Sequence, residues 1–489
     1  MAIRRCSFLL FFFLTASGAF VAGCGGAPGS SGSKTGPIPG ESTTVVIQVS
    51  STANDQFIYF GMEIQSIALT NKAGATTTIF STPTDVSFIP WNGNAFPLAT
   101  VTVPQDVYTS AAITLIGPAF TYVFMGAQGS ITTSTDAYGG SYAPYPPVVT
   151  LASPITVSGS TMGLTLSLQA AQSGTIVGYP NQTGYTISPT FTLSSFAIPE
   201  EGTNFENGKC TGLVGQVTAV TGDSMTVALP GNPSTGNPSL NVALNSSTKY
   251  QGVASASDLS DGTLVNFDVA LQPDASYAAT RVEVQDPNAT DVAVGQLVNV
   301  DPSYNGYVNT TAVQQVGTNL SVEPEGYGAP YMYGTSTKFQ TSALFPDLSA
   351  LPFNAVFDAS TLAAGQMVAM ASDTLSFAYP YTQPTSVTLL PQTIDAAVTG
   401  ESSSGDYSVY SAQLAPYDLI VQMNNPIDSP PATTLPNPGT VQVYVSSGTM
   451  QLNTAPLAVG GTYRFNGLLF NDSGTLRMVC NQVNDGVTE

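Results

Sequence analysis

The segment from Leu259 to Leu271 reads LSDGTLVNFDVAL, and it contains the pattern that decides the fold. Gly262 follows Leu259 by three residues, and apolar residues then alternate with polar ones from Val265 to Leu271. A side-chain period of two is that of a β-strand with one face in the core. Glycine is the residue that a tight turn before such a strand requires. The segment therefore predicts a turn that starts a half-buried strand.

The same block occurs twice more in the second half of the chain. It recurs with equal spacing at Leu362/Gly365/Val368/Met370 and at Leu457/Gly460/Tyr463/Phe465. A second pattern, Thr248-Lys249-Tyr250, returns as Thr337-Lys338-Phe339 and more weakly at Thr449. Repeats in the same order predict three copies of one small β-module. We place these modules at residues 211–286, 292–392 and 396–485.

The N-terminal part carries the same strand signal without the repeat. Apolar and polar residues alternate at Val45/Ile47/Val49 and at Leu164/Leu166/Leu168. Proline and glycine, 35 and 46 residues respectively, interrupt such runs at the short intervals typical of sandwiches and small barrels. We therefore expect an all-β chain in which a β-sandwich over residues 43–200 precedes three small barrel-like modules of the oligosaccharide/oligonucleotide-binding type.

The first 24 residues predict export and lipid attachment. Arg4 and Arg5 precede an apolar run over residues 8–14, which is the layout of a secretory signal. Val21-Ala22-Gly23-Cys24 resembles the lipobox of bacterial lipoproteins. The resemblance implies a signal peptide over 1–23 and a lipid on Cys24, which makes a membrane the first partner of the chain.

A flexible tether follows the lipidated cysteine. Residues 24–42 are rich in glycine, serine and proline and contain almost no large apolar side chain, so they cannot bury enough surface to fold. A non-acidic residue, Gly25, comes directly after Cys24, which favours the outer membrane in a cell envelope that has one. We therefore expect an extracytoplasmic, lipid-anchored protein of the cell envelope.

Composition excludes several classes of function. The 489 residues include 31 acidic and 10 basic side chains, and the net charge of −21 becomes −23 when cleavage removes Arg4 and Arg5. Such a surface repels nucleic-acid phosphates, whose binding depends on clustered lysine and arginine. The chain has no histidine, which removes Ser-His-Asp and Cys-His catalysis and imidazole metal sites. We expect no enzyme activity, no cofactor, no metal site and no nucleic-acid partner.

Carboxylates are the one catalytic chemistry that remains open. The nearest clusters are Glu323 with Glu325, Asp258 with Asp261, and Asp286 with Asp291, and none has the spacing of a calcium loop. We interpret them as solvated turn residues. An envelope glycosidase that uses two carboxylates is the enzyme alternative.

The modules resemble a known family. Over residues 212–286, a Gly-x-Val near the start, a Thr-x-Tyr strand, Leu-x-x-Gly and a closing Val-x-Val resemble the domain of unknown function 5666, small β-modules of bacterial lipoproteins. Residues 43–200 are more loosely similar to the domain of unknown function 4382, a β-sandwich, through strands at 45–49, 64–69 and 112–116 and the segment VPQDVY at 103–108. Neither family has an established activity, so the resemblance implies architecture and location.

Two further cysteines flank the repeats. Cys210 precedes the first module and Cys480 lies in the last strand of the third. An even pair outside the cytoplasm suggests a disulfide that joins the two ends of the array. Two buried thiols that never meet are the alternative.

Three loops rich in tyrosine and proline are the remaining candidate site. Tyrosine offers a flat apolar face with a polar tip, which suits stacking on a sugar ring or a peptide. These residues are Tyr138, Tyr142 and Tyr145, then Tyr327, Tyr331 and Tyr333, then Tyr379 and Tyr381. The alternative is that the rings cover insertions and fill gaps between modules.

These observations favour a non-catalytic structural or binding role in the cell envelope. The partner is an envelope polysaccharide or a protein, and a carbohydrate-binding surface lipoprotein is the more specific form of this hypothesis. Scattered acidic residues would favour binding, whereas a pair of carboxylates in a groove would favour the glycosidase.

Overall fold

The computed structural model describes residues 36–52, 57–125, 131–137, 144–145, 147–177, 184–198, 209–231, 237–301, 306–317, 328–342, 348–373, 381–415, 418, 420, 439–452 and 456–485. The predicted signal peptide, Cys24 and most of the tether lie outside these residues. The residues from Gly36 onward form one compact unit, and the fold is all-β, as predicted. No helix within the described ranges has the length and apolar character needed to cross a membrane.

The N-terminal part consists of two sheets and a hairpin. Its strands are β1 (Ser42–Ser51), β2 (Phe57–Asn71), β3 (Thr76–Phe80), β4 (Thr84–Ser87), β5 (Phe96–Pro104), β6 (Asp106–Met125), β7 (Ile131–Ala137), β8 (Pro144–Tyr145), β9 (Val148–Leu151), β10 (Ile155–Val157), β11 (Thr161–Leu168), β12 (Gly174–Val177), β13 (Gly184–Ile187) and β14 (Thr190–Phe196). One sheet has the order β5-β1-β11-β14-β9. The other has the order β10-β6-β2-β3, with β4 paired to β2 and with β7 and β8 paired to β6. β12 pairs with β13 after a single helical turn, α1 (Ala170–Ser173).

The two sheets share one hydrophobic core. Val45 and Ile47 of β1 and Phe60 and Ile64 of β2 belong to the same buried cluster, which is the arrangement of a β-sandwich. β1 lies inside its sheet and makes eight residue pairs with β11, in parallel, and eight with β5, antiparallel. The opposite face of β1 is buried as well, because Gln48 Nε2 donates a hydrogen bond to Tyr277 Oη at 3.2 Å. The sandwich is therefore joined to the module that follows it.

Three sheets follow one another along the rest of the chain. The first contains β15 (Lys209–Thr221), β16 (Ser224–Ala228), β17 (Ser239–Ala243), β18 (Lys249–Gln251), β19 (Leu264–Leu271) and β20 (Tyr277–Glu283). The second contains β21 (Asp291–Asp301), β22 (Tyr307–Gly317), β23 (Gly328–Met332), β24 (Lys338–Thr341), β25 (Met367–Ser372) and β26 (Ser386–Leu389). The third contains β27 (Gln392–Ser404), β28 (Tyr407–Leu414), β29 (Thr440–Leu452), β30 (Thr462–Asp472) and β31 (Thr475–Asp485). Single 3-10 turns lie at Ile89–Trp91, Ala256–Asp258 and Leu348–Ala350.

The three sheets share one order of pairing. The orders are β17-β16-β15-β19-β20-β18, β23-β22-β21-β25-β26-β24, and a closed barrel β27-β28-β29-β31-β30. A parallel contact closes each sheet on itself, at Val242–Tyr277, Tyr331–Thr382 and Val441–Leu476. In the third sheet the single strand β29 occupies the positions that β17 and β18 occupy in the first, since it pairs with β31 over two separate stretches.

The repeated sequence positions occupy equivalent places in these sheets. Thr248, Thr337 and Thr449 each donate a hydroxyl hydrogen bond to a backbone carbonyl, of Ala279 in β20, of Pro384 just before β26 and of Cys480 in β31, at 2.8–2.9 Å. Gly262, Gly365 and Gly460 have φ angles of 88°, 88° and 90°, and each backbone N–H donates to a carbonyl of the first strand of its sheet at 2.7–2.8 Å. The tight turn predicted at each glycine is confirmed. Its cause is the positive φ, since a Cβ at Gly262 or Gly460 would meet nothing within 4 Å.

Hydrophobic cores cross the boundaries between the sheets. The largest cluster contains core residues of the sandwich together with most buried apolar residues of the first module, from Cys210 to Val284. Leu468, Phe470 and Val479 of the third module lie in the core of the second. The connection between the second and third sheets is only Leu390-Pro391, and the strand β27 begins at Gln392, before the start at 396 that the sequence suggested.

Candidate functional site

A cavity lies where the sandwich meets all three modules, and we call it the central cavity. The space open to the centres of water molecules is about 130 Å³, whereas one ordered water needs about 10–15 Å³ by that measure. Side chains from each unit line it: Trp91, Asn92 and Asn94, then Asn266 and Arg281, then Gln296 and Gln314, then Gln392, Asp395 and Asn466. Neutral amides are the most numerous polar groups among them. Apolar contacts come from Ile89, Met367 and Leu390.

The loop from Phe88 to Asn94 brings the sandwich side of the cavity into place. Ile89–Trp91 forms a single 3-10 turn with proline at its start, which matches the fixed φ of that residue. Asn92 Nδ2 donates to Asp395 Oδ2 of the third module at 2.8 Å. Asn94 exchanges hydrogen bonds with the backbone of Thr211 in the first module, at 2.7 and 3.1 Å. This loop therefore fixes Trp91 between two modules.

A buried ionic cluster forms the floor of the cavity. Arg281 Nε donates to Asp268 Oδ2 at 2.8 Å, Nη2 donates to Asn266 Oδ1 at 2.8 Å, and Nη1 contacts Glu283. Arg281, Asp268 and Glu283 are 3%, 2% and 0% exposed. Burial raises the pKa of Glu283 above its usual value, although the neighbouring Arg281 acts in the opposite direction. The cluster satisfies most of its own charge, which leaves the amides to present hydrogen-bonding groups to the cavity.

The burial of this cluster corrects the sequence interpretation of β19. The alternation of Val265, Phe267 and Val269 with Asn266 and Asp268 predicted a half-buried strand with a solvated polar face. Every residue from Leu264 to Val269 is buried. The polar face is covered because the other modules and the sandwich pack on that side of the sheet.

Two buried amides that line the cavity have an atom without a hydrogen-bond partner among the described residues. These atoms are Asn266 Nδ2 and Gln314 Oε1. Arginine only donates, so the bond from Arg281 fixes Asn266 with its oxygen towards Arg281 and its amino group on the other side. The β21–β22 register skips Val313 immediately before Gln314, and a bulge of this kind re-aims the next side chain. Both atoms are closed off from water in the structure, so neither is open to the cavity.

A pair of carboxylates lies beside the cavity. Glu63 and Asp85 face each other as direct partners of the antiparallel pair β2–β4. Burial, together with the charge of Glu63, raises the pKa of Asp85 from 3.8 to about 6. Asp85 lines a second, smaller cavity, of which Trp91 and Gln314 are also walls. No sequence pattern indicates this pair, because its two members are 22 positions apart and meet only through the pairing of β2 with β4.

The tyrosine candidates separate in the structure. Tyr331 is 1% exposed and belongs to the core of the second module, so the stacking role predicted for it is wrong. Tyr333 is partly buried against Phe339, with ring centroids 5.6 Å apart, and Tyr381 is also partly buried. The backbone of Tyr145 pairs in β8, but its side chain lies outside the described part, as do Tyr138, Tyr142, Tyr327 and Tyr379. Of the predicted tyrosines whose side chains are described, Tyr331, Tyr333 and Tyr381, none lines the central cavity.

The two cysteines are free and buried, so the proposed disulfide is absent from the structure. Cys210 lies in the core shared by the sandwich and the first module, and Cys480 lies in the core of the third module. Burial raises the pKa of the Cys480 thiol to about 12 and that of Cys210 further. The thiols are separated because each fills a different core.

The acidic clusters noted in the sequence were Glu323 with Glu325, Asp258 with Asp261, and Asp286 with Asp291. In the described part of the chain, Asp258 and Asp286 accept hydrogen bonds from nearby backbone N–H groups. Asp258 Oδ2 accepts hydrogen bonds from the N–H groups of Ala254 and Ser255, both at 3.0 Å, and Asp286 Oδ1 accepts one from Asn288 at 2.9 Å. Asp261 is exposed. Asp291 is buried in β21, which corrects its interpretation as a solvated turn residue. Glu323 and Glu325 lie outside the described residues.

Comparison with known families gives one match. Residues 214–283, which run from β15 to β20, match the family described as Domain of unknown function (DUF5666). The match confirms the resemblance of the first module. No curated protein matches the chain.

The cavity residues were not predictable from sequence patterns. Trp91, Asn266, Gln314 and Asp395 come from four distant segments, and only Asn266 belongs to a repeated pattern, on the face of its strand that the pattern did not predict to be buried. The one usable signal was the run Ile89-Pro90-Trp91-Asn92-Gly93-Asn94, where the single tryptophan of the chain stands among turn-forming residues.

Proposed function

We propose that this chain is a lipid-anchored protein of the bacterial cell envelope that binds a ligand in its central cavity and does not transform it. The observation that carries the proposal is the central cavity itself, which residues of the sandwich and of all three modules line and in which neutral amides are the most numerous polar groups. Amide side chains can both donate and accept hydrogen bonds, which suits the positioning of a bound ligand.

The proposed lipid-anchored position in the cell envelope rests on Val21-Ala22-Gly23-Cys24 and on the arginines that precede the apolar run. Replacement of Cys24 by serine removes the thiol that accepts the lipid. The Cys24→Ser protein is expected to leave the detergent phase in a phase-partition experiment, whereas the parent stays in it. A variant that remains membrane-bound after its signal is removed would place the anchor elsewhere.

Trp91 makes binding directly measurable. It is the only tryptophan in the chain and it lines the cavity, so its emission reports occupancy of this site. The soluble Cys24→Ser protein is titrated with soluble envelope fractions: released polysaccharide fragments, peptidoglycan peptides and short-chain phospholipids. A saturable emission change with recovery of the fraction unaltered by mass spectrometry supports the proposal. If no fraction changes the emission, the central cavity is not a binding site.

A glycosidase is the second candidate, and the Glu63–Asp85 pair is the observation that favours it. The raised pKa of Asp85 beside the carboxylate of Glu63 is the relation expected of a general acid and its partner. Release of reducing sugar from the polysaccharide fractions, abolished in both Glu63→Gln and Asp85→Asn, would establish the enzyme and overturn the binding role.

A further inference from the structure

We propose that Met450 is a site of reversible oxidation to the sulfoxide, and that Lys209 binds the oxygen atom that this oxidation adds. Lys209, the first residue of β15, donates a hydrogen bond from Nζ to Sδ of Met450 in β29, at 3.2 Å. The contact joins the first module to the third, and neither residue lines the central cavity. A thioether sulfur is a weak acceptor for an ammonium group, whereas oxidation makes this side chain polar.

Met450 stands where the two sister modules carry lysine. The residue that follows the repeated threonine is Lys249 in the first module and Lys338 in the second, and both are exposed. In the third module this residue is the methionine, and a lysine from the start of the first module contacts it. An oxidisable side chain therefore replaces a solvated charge at this position, with an ammonium group within hydrogen-bond distance of its sulfur.

Met450 is more open to solvent than most methionines of the described part of the chain. Its side chain is partly exposed, as are those of Met332 and Met367. Five others are 0–7% exposed: Met62, Met162, Met225, Met370 and Met478. An oxidant in solution therefore reaches Met450 more readily than it reaches these five.

The oxidant is a peroxide. The sulfur lone pair attacks one oxygen of hydrogen peroxide, and an S–O bond forms as the O–O bond breaks. The proton of the transferred oxygen passes to the departing hydroxide, which leaves as water, so that sulfur is oxidised and the peroxide is reduced. In the reverse reaction the oxygen leaves as water while a dithiol is oxidised to a disulfide, which methionine sulfoxide reductases catalyse.

The added oxygen stabilises the charge of Lys209. Burial lowers the pKa of Lys209, so the charged form is disfavoured in the reduced protein. A sulfoxide oxygen accepts a charge-assisted hydrogen bond from the ammonium group, which is stronger than a bond between neutral groups. Oxidation of Met450 therefore tightens the contact between β15 and β29.

Peptide mapping by mass spectrometry tests the site. The Cys24→Ser protein is exposed to increasing hydrogen peroxide, and Met450 is expected to be oxidised before the five buried methionines. Urea denaturation of the reduced and oxidised forms then tests the role of Lys209. Oxidation is expected to favour the folded state about 2- to 10-fold more in the parent than in Lys209→Leu, the range of one hydrogen bond. Lys249→Leu, at the exposed sister position, should respond as the parent does.

Met450→Gln gives a second measurement without oxidant, because glutamine carries an amide oxygen on a side chain of similar length. It is expected to be more stable than Met450→Leu when Lys209 is present, and to lose this advantage in the Lys209→Leu background. The proposal is overturned if Met450 stays unmodified while Met332 and Met367 are oxidised. Equal responses to oxidation in the parent and Lys209→Leu also overturn it, as does equal stability of Met450→Gln and Met450→Leu when Lys209 is present.

Discussion

Three charged side chains of the first module, Arg281, Asp268 and Glu283, are buried together beside the central cavity. Charges removed from water are tolerated only when they are paired, and removal of one partner leaves the others exposed to the full desolvation cost. In this cluster a single cation serves two carboxylates. The stability of the first module therefore depends more on Arg281 than on either acid.

Arg281→Met tests this dependence. The variant leaves Asp268 and Glu283 buried without a cation, and we expect a loss of about 3–5 kcal/mol in the free energy of unfolding, measured by urea denaturation. Arg477→Met is the control, because Arg477 pairs with Asp472 at a partly exposed position. Its loss is expected to stay below about 2 kcal/mol, including its contact with the ring of Phe353. Equal losses in the two variants would contradict the argument.

Asp85 makes stability depend on pH in a defined direction. Its pKa is raised to about 6 in the folded protein by burial and by the charge of Glu63. The unfolded carboxyl loses its proton near pH 4, so between about pH 4 and 6 the folded state binds more protons and stability falls as pH rises. Above pH 6 the penalty is complete.

We therefore expect Asp85→Asn to raise the melting temperature at pH 7.5 and to have little effect at pH 4. Thermal unfolding of parent and variant across this range checks the prediction. Asp274→Asn is the contrasting variant, because hydrogen bonds from Ser276 lower the pKa of Asp274 and its removal should cost stability at neutral pH. A pH-independent effect of Asp85→Asn would refute the assignment.

At the scale of elements, the repeated turn that precedes β19, β25 and β30 is the most constant feature of the modules. Its glycine adopts φ near +90° in all three copies. An alanine in the left-handed region costs roughly 1–2 kcal/mol. The three copies differ in what surrounds this glycine, and that difference can be measured.

Gly262→Ala and Gly460→Ala are each expected to lose about 1–2 kcal/mol from backbone strain alone, since nothing lies within 4 Å of the added Cβ. Gly365→Ala is expected to lose more, because its Cβ would lie 2.2 Å from Ile420 Cγ1. Gly222→Ala, at an exposed turn without positive φ or close neighbours, should be neutral or slightly stabilising. Chemical denaturation of the four variants ranks their free energies of unfolding. If Gly365→Ala is no less stable than Gly262→Ala, the side chain of Ile420 moves aside and the predicted clash is wrong.

The sequence predicted these elements better than it predicted their surroundings. The period of two and the Leu-x-x-Gly spacing indicated the strands and the turns, because both follow from local backbone geometry. The burial of Asn266 and Asp268 depends on which modules pack against β19. The burial of Tyr331 likewise depends on tertiary packing, in the core of the second module. The candidate site followed no local pattern, since Trp91, Asn266 and Gln314 are brought together only by the packing of separate sheets.

At the scale of the whole molecule, the sheets are joined by shared cores. The sandwich and the first module form one hydrophobic cluster, and Leu468, Phe470 and Val479 connect the third module to the second. Modules that share buried side chains lose them together when one unfolds. The third module keeps a hydrophobic cluster of its own, and the shared residues join the repeats into one cooperative body.

We expect residues 36–489 to unfold in one calorimetric transition, with equal calorimetric and van't Hoff enthalpies. Leu468→Ala should remove about 2–5 kcal/mol and lower the midpoint of that single transition. Separate transitions in the parent, or a Leu468→Ala variant in which only one part melts early, would instead show independent modules. Limited proteolysis gives a second reading, because residues 393–397 lie inside β27 and should resist cleavage.

The position of β1 has a mechanical consequence. The segment that leads back towards Cys24 enters the body directly at this strand, which has neighbours on both sides. When a pull on that segment is directed along the strand axis, β1 can leave only by sliding past β5 and β11 at once. Each neighbour contributes eight residue pairs, and these are loaded together in shear. A strand at the edge of a sheet would instead peel away one bond at a time. A load carried through residues 36–41 is therefore shared by two ladders of hydrogen bonds inside the sandwich.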